Sequence, residues 1–218
     1  MKALLRIVGV LILIGIVVVL GLMFVPPQRT APAAPLPADY QAPPGAGRAV
    51  AVAGDCMACH TAPKGQPYAG GLAVPSPFGT IYSTNITPDK ETGIGNYTLD
   101  EFRAVLIDGV RKDGAHLYPA MPYPSYRKMS EPDVRALYAY LMNDVPPVRA
   151  EVPGTELEFP FNQRWGIRAW NWVALPKATL FALRRAVRNG SVWIEHSLSF
   201  RGRARLFFTD ERWQAESK

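Results

Sequence analysis

The hydrophobic pattern begins with one unbroken stretch: Ile7 to Val25 runs nineteen residues without a charged side chain, behind Lys2 and Arg6. At about 1.5 Å rise per residue, a helix of that length spans roughly the 30 Å hydrocarbon core of a bilayer. Residues 1–25 are therefore expected to be a transmembrane helix, with Lys2 and Arg6 cytoplasmic and the rest of the chain on the other side. A cleaved signal peptide shares the position and the basic start. Its apolar core is usually shorter, roughly 7–15 residues, and the small-residue cleavage candidate around Ala31–Ala34 is interrupted by prolines, so a retained anchor is preferred.

Helical spacing returns twice further on. Thr98-Leu99-Asp100-Glu101 reads as a capping box opening a helix with Phe102, Val105 and Leu106, which stops near Gly109. Ser130 caps a second helix, with Pro132 and Asp133 in its first turn and Val134, Leu137, Tyr138 and Leu141 at helical spacing. Pro146 and Pro147 end it. A shorter helix is expected over Arg48–Gly54, whose small residues allow another helix close. Thr61–Thr87 holds four prolines and four glycines and reads as loops around one strand at Thr80–Ile86. Residues 26–47 hold seven prolines and read as a stiff spacer. A further helix is expected at about Leu180–Arg188. These signals divide the chain into an anchor (1–25), a linker (26–47), a mostly helical domain (48–147), and a connector with a C-terminal extension (148–218).

Charge sharpens this division. The formal net charge of +6 is carried by the end of the chain: residues 1–160 hold 13 Lys and Arg against 14 Asp and Glu, whereas residues 161–218 hold 11 against 4. Four of the five tryptophans fall between residues 163 and 208, and tryptophan beside arginine suits membrane interfaces and protein docking surfaces alike. No nucleic-acid-binding motif accompanies the charge, so nucleic acid is not expected as a partner.

The candidate chemistry lies in Cys56-Met57-Ala58-Cys59-His60. Two thiols three positions apart meet the two vinyl groups of one porphyrin, and the following imidazole reaches the iron, so the motif reads as a c-type haem attachment site. A thioredoxin-like redox pair needs a βαβ context, and a zinc site needs two more ligands; a disulfide between the two cysteines is the plain structural alternative. Covalent haem attachment takes place outside the reducing cytoplasm, which places this part of the chain in a periplasm-like space. The iron then has an open sixth position or a second ligand. Met121 sits in Tyr118-Pro119-Ala120-Met121-Pro122-Tyr123-Pro124, where three prolines stiffen the loop. His116, after the turn Asp113-Gly114-Ala115, competes with it. Met129 and Met142 lie on or beside a helix, where methionine is more often core filling. Phe78 and Tyr82 are candidates to pack on the porphyrin or in an ordinary core, and Arg111 and Lys112 to pair with haem propionates or remain solvated.

The segments GDCMACHT, YAGGL, PFGTIYSTNITPDKETGIGNYT, GVRKDG, HLYPAMPYPSY and ALYAYL, within residues 54–143, resemble the first haem domain of the membrane-bound dehydrogenase cytochrome c subunits. That resemblance implies a class I-like cytochrome c fold, one haem c held by Cys56 and Cys59, and axial ligation by His60 and by the methionine of the AMPYPSY loop, Met121. It also implies electron transfer, with no substrate chemistry of the chain's own, from a dehydrogenase catalytic subunit to quinone or an oxidase at a bacterial inner membrane. Members of the family carry three CxxCH motifs, and this chain carries one. The resemblance continues weakly through Phe159–Trp165 and fades beyond Trp172. An open-site haem sensor or enzyme, and a structural subunit of a dehydrogenase complex, are the competing functions.

Overall fold

The computed structural model describes residues 1–24, 27, 29–32, 36–37 and 39–175. The apolar stretch forms one helix, α1 (Lys2–Phe24), long and apolar enough to cross a membrane, with a mean hydropathy of 3.2 over its best window and almost no side chain buried. The helix expected over Leu180–Arg188 lies outside the described residues.

Three helices enclose the core. The first, α2 (Ala46–Ala53), leads directly into the one-turn helix α3 (Cys56–Cys59). After the hairpin β1 (Ala73–Ser76) and β2 (Gly79–Tyr82) comes α4 (Leu99–Asp108), opened by a complete capping box between Thr98 and Glu101. The single turn α5 (Tyr123–Tyr126) precedes α6 (Glu131–Asn143), capped by Ser130 through the Asp133 amide. Val50 and Ala51 of α2, Phe102, Leu106 and Ile107 of α4, and Val134, Leu137 and Leu141 of α6 bury one another in a single cluster. The expected contact of α2 with another helix occurs at Gly47: a β-carbon there would lie 2.2 Å from the Ala136 carbonyl oxygen and 2.5 Å from the Tyr140 β-carbon. Only a residue without a side chain lets α2 and α6 cross this closely.

The strand expected over Thr80–Ile86 is confined to Gly79–Tyr82, paired antiparallel with β1 so that Val74 faces Ile81, and with β3 (Glu156–Leu157) on its other edge. It stops there because Asn85 turns inward. Its Nδ2 donates to the Val148 carbonyl (2.7 Å) and to Thr92 Oγ1 (3.0 Å), while its Oδ1 accepts from the Thr87 amide and hydroxyl (2.9 and 2.8 Å). A buried amide satisfied on both sides fixes a loop more sharply than apolar contact alone.

The described part of the 26–47 segment lies against the domain. Thr30 donates through its amide and hydroxyl to the buried carboxylate of Asp108 (2.8 and 2.6 Å), and its carbonyl accepts from Arg103. Arg127 reaches the same carboxylate at 3.2 Å, and Arg103 pairs with Glu131 at 2.8 Å. Behind β3, α7 (Trp165–Ala174) packs Ile167, Arg168 and Asn171 inward and leaves Trp170 and Trp172 exposed. It also meets the end of α1, where Arg168 approaches the Gly21 carbonyl.

Candidate haem site

Cys56 and Cys59 stand on the single turn of α3 with no disulfide between them, Cys56 half-buried and Cys59 exposed. Burial, with the neighbouring Cys59 and Asp55 charges, pushes the Cys56 thiol up to about 12; burial, then Asp55, also raises Cys59. Both shifts run opposite to the depressed pKa of a thioredoxin-type pair. Among the described residues no three His, Cys, Asp or Glu side chains are gathered to hold a metal ion.

His60 closes the turn, and its Nδ1 lies 2.7 Å from the Thr84 carbonyl oxygen. A carbonyl only accepts, so Nδ1 carries the proton and Nε2 keeps its lone pair, the arrangement found when an imidazole serves as a metal ligand. Burial holds the ring below the usual histidine range, against the opposing pull of the Thr84 hydrogen bond; the ring is thus neutral at physiological pH. The carbonyl of Thr84 is delivered by the YAGGL segment. Gly70 donates to the His60 carbonyl (2.8 Å), Gly71 donates to Ser83 (2.8 Å), and Ile86 donates to Tyr68 (2.9 Å). Gly70 takes φ +76 and lies so close to Thr84 and Asn85 that a β-carbon would fall 2.5 Å from backbone. Residues 68–71 are thereby clamped between the His60 turn and the Thr84 turn. No sequence pattern announces a backbone carbonyl, and the role of Thr84 becomes legible only once the loop is folded.

Met121 is partly buried against the same cluster as Cys56. Its amide donates to the Tyr118 carbonyl (3.2 Å), and its own carbonyl accepts from the Tyr123 amide (2.8 Å). The loop is tied to the attachment turn by Tyr126, whose hydroxyl donates to the Gly54 carbonyl at 2.7 Å. His116 is placed differently. Its ring is buried, with Arg168 Nε donating to its Nε2 (3.3 Å) and Asn171 Nδ2 3.4 Å from its Nδ1. Arg168 thus occupies the accepting nitrogen, and the side chain of Asn171 lies beside the other. Met129 and Met142 pack against the core cluster. Arg111 pairs with Asp113 (2.9 Å) and Lys112 with Glu101 (3.7 Å), both at the surface. Phe78 stacks on Phe161 at 3.8 Å between ring centroids, and Tyr82 is half-buried in β2.

Cysteines at both ends of one turn, followed by an imidazole whose Nδ1 is held by the Thr84 carbonyl, fit the two thioether bonds and the first iron ligand of haem c. The comparison with known families agrees: the cytochrome c family model matches residues 45–144. Those residues form a cytochrome c domain. The domain carries covalently bound haem c, and α2 through α6 are its helices. The chain is similar to the cytochrome c subunit of the quinone-dependent alcohol dehydrogenase of Gluconobacter oxydans, 53% identical over 133 residues, 61% of this chain and 28% of that protein. It is 50% identical over 135 residues to the gluconate 2-dehydrogenase cytochrome c subunit of Pantoea cypripedii (62% and 31% of the two chains). With the fructose dehydrogenase cytochrome subunit of Gluconobacter japonicus it shares 51% over 148 residues (67% and 30%). The chain therefore spans less than a third of these relatives' own lengths. By name these relatives are cytochrome subunits of dehydrogenases.

Proposed function

We propose that the chain is a membrane-anchored mono-haem cytochrome c that relays single electrons from a dehydrogenase catalytic subunit to a respiratory acceptor, quinone or an oxidase. The domain faces the periplasm and α1 is retained as its anchor. Cys56 and Cys59 hold the haem through two thioether bonds, and His60 and Met121 are the axial ligands. When bound, the haem supplies one-electron chemistry. The chain's own residues do the rest. Thr84 holds the His60 proton on Nδ1, Tyr126 ties the Met121 loop to the attachment turn, and Met121 packs against the core cluster.

The single observation that carries this reading is the placement of the competing ligands: Met121 lies against the cluster that also takes Cys56, whereas the buried His116 ring accepts at Nε2 from Arg168 of α7. A thioether ligand raises the potential and closes the iron to exogenous molecules, which suits relay and not sensing. The deciding experiment is a reduced-minus-oxidised spectrum of the matured full-length protein, followed by carbon monoxide. A weak thioether-to-iron band with no carbon monoxide response is expected. In Met121→Ala the band should vanish, the potential should fall and carbon monoxide should bind. A wild-type protein that lacks the band and binds carbon monoxide would instead have an open iron, and the relay function would be wrong.

A further inference from the structure

Helix α7 follows the matched cytochrome c domain in sequence, yet one stripe of it is bound to the segment that carries Met121. Arg164, Arg168 and Asn171 are spaced four and three residues apart, which sets them on one face of a helix. Arg164 donates to the His116 carbonyl at 2.7 Å and lies over the Tyr118 ring at 4.4 Å from its centroid. Arg168 and Asn171 engage the His116 ring, as described above. Asn171 makes one more contact: its Oδ1 accepts from the Tyr123 hydroxyl at 2.8 Å, in a fully buried setting. Tyr123 is wholly inaccessible, and its ring lies against Gly109, where a β-carbon would come within 2.9 Å of it. The amide of the same residue donates to the Met121 carbonyl. Two peptide bonds and one side-chain hydrogen bond thus separate the proposed axial methionine from Asn171.

We infer that α7 is a positioning element for the axial methionine: Asn171, through Tyr123, holds the Met121 loop from behind and sets how readily the thioether leaves the iron. The inference rests on the proposal that Met121 is the sixth ligand. A buried phenol and a buried amide that have lost each other remain without partners, and the loop gains by moving to where they find water. In that moved position the thioether is off the iron. Asn171 is therefore a positioning residue and not a ligand. The stripe explains why the chain carries this helix behind a domain whose family match ends at residue 144.

The test is imidazole binding to the ferric holoprotein, full-length and matured, since imidazole enters only when the methionine leaves. Tyr123→Phe keeps the packed ring and removes only the hydroxyl; Asn171→Leu removes the acceptor; the double variant removes both. Each single variant should bind imidazole roughly 5- to 100-fold more tightly than wild type and lose the thioether band at lower pH. The double variant should recover part of that change, because the phenol and its amide acceptor are then both gone and only the contact of Asn171 with His116 stays lost. If Asn171→Leu does not mature, Tyr123→Phe alone decides the matter. Imidazole affinity within twofold of wild type in the single variants, even with lowered global stability, would overturn the inference while leaving Met121 ligation intact. Absence of the thioether band in the wild-type protein would overturn both together.

Discussion

Gly47→Ala tests whether the helix crossing, and not apolar burial in general, sets the stability of the domain. The added β-carbon would stand 2.2 Å from the Ala136 carbonyl oxygen, 2.5 Å from the Tyr140 β-carbon and 2.9 Å from the Ala136 carbonyl carbon. Ordinary contact needs about 3.5 Å, so α2 and α6 must part by roughly 1 Å. The obstructing atoms are backbone or the stem of a side chain, which have no rotamer to escape into. A radial gap of that size forfeits a quarter to a half of the dispersion between facing atoms, here between Val50 and Ala51 on one side and Leu137 and Leu141 on the other. Overpacking costs about 1–3 kcal/mol in general, and alanine returns somewhat less than about 1 kcal/mol through its helix propensity. The rigidity of the obstacle puts the net loss at about 2 kcal/mol, or roughly 8–16 °C in Tm for a domain of this size. Thermal and denaturant unfolding of the holoprotein measure it, with a lowered midpoint and an unchanged denaturant slope expected. Gly166→Ala is the control: nothing lies within 4 Å of its β-carbon position on α7, so propensity alone should leave stability equal or slightly higher. If both variants stabilise the protein, the close crossing is not where the geometry places it.

Asp108→Ala leaves the guanidinium of Arg127 buried without its carboxylate and frees the amide and hydroxyl of Thr30. Loss of one partner of a buried pair costs about 3–5 kcal/mol, and limited proteolysis between residues 24 and 45 should accelerate; an unchanged digestion pattern would contradict the role given to the Thr30–Asp108 contact. His116 gives a pH prediction. Burial, then Arg168, lowers its folded pKa below the unfolded value of 6.5, against an opposing pull from Asp108. The unfolded chain then binds the proton first, so stability is full above pH 6.5 and falls as pH drops through the folded pKa. His116→Gln should flatten this part of the stability profile in holoprotein denaturation between neutral pH and the acid limb, and a profile identical to wild type would show that the ring does not titrate there.

Legibility in the sequence followed the range of the signals. The capping box at Thr98–Glu101 and the serine cap at Ser130 are local chemistry, and both helices begin where those residues place them. The run from Ile7 to Val25 is equally local, and α1 matches it to within a few residues at each end. What the sequence hid depends on partners far along the chain. The 26–47 segment reads as a spacer by composition, yet Thr30 finds Asp108 seventy-eight residues away. Strand formation ends at Tyr82, earlier than the β-branched run suggests, because the buried amide of Asn85 commits the backbone to Val148. Trp165–Ala174 reads by composition as connector and tryptophan-rich extension, whereas its meaning lies in the polar stripe. Arginines at four-residue spacing look like a solvated face until His116 and Tyr118 are folded against them.

The methionine loop gathers these long-range contacts in one place. Pro119, Pro122 and Pro124 around Met121 remove amide donors and narrow the backbone, which fixes the local shape but not the position of the loop in the protein. Position comes from two tyrosines three residues apart. Tyr126 binds the Gly54 carbonyl, two residues before the first cysteine, and Tyr123 binds Asn171 on the helix behind. One hydroxyl ties the loop to the turn that holds the haem, and the other ties it to the rest of the chain. A relay centre must keep its ligands through repeated oxidation and reduction, and a loop held only by prolines would be free to swing as a stiff unit. Fastened at both tyrosines, it moves only if a buried hydroxyl loses its partner, which costs roughly 1–3 kcal/mol at each site. That cost, small for the fold as a whole, is large for the iron–thioether bond proposed at Met121, which would have to compete with water and with imidazole.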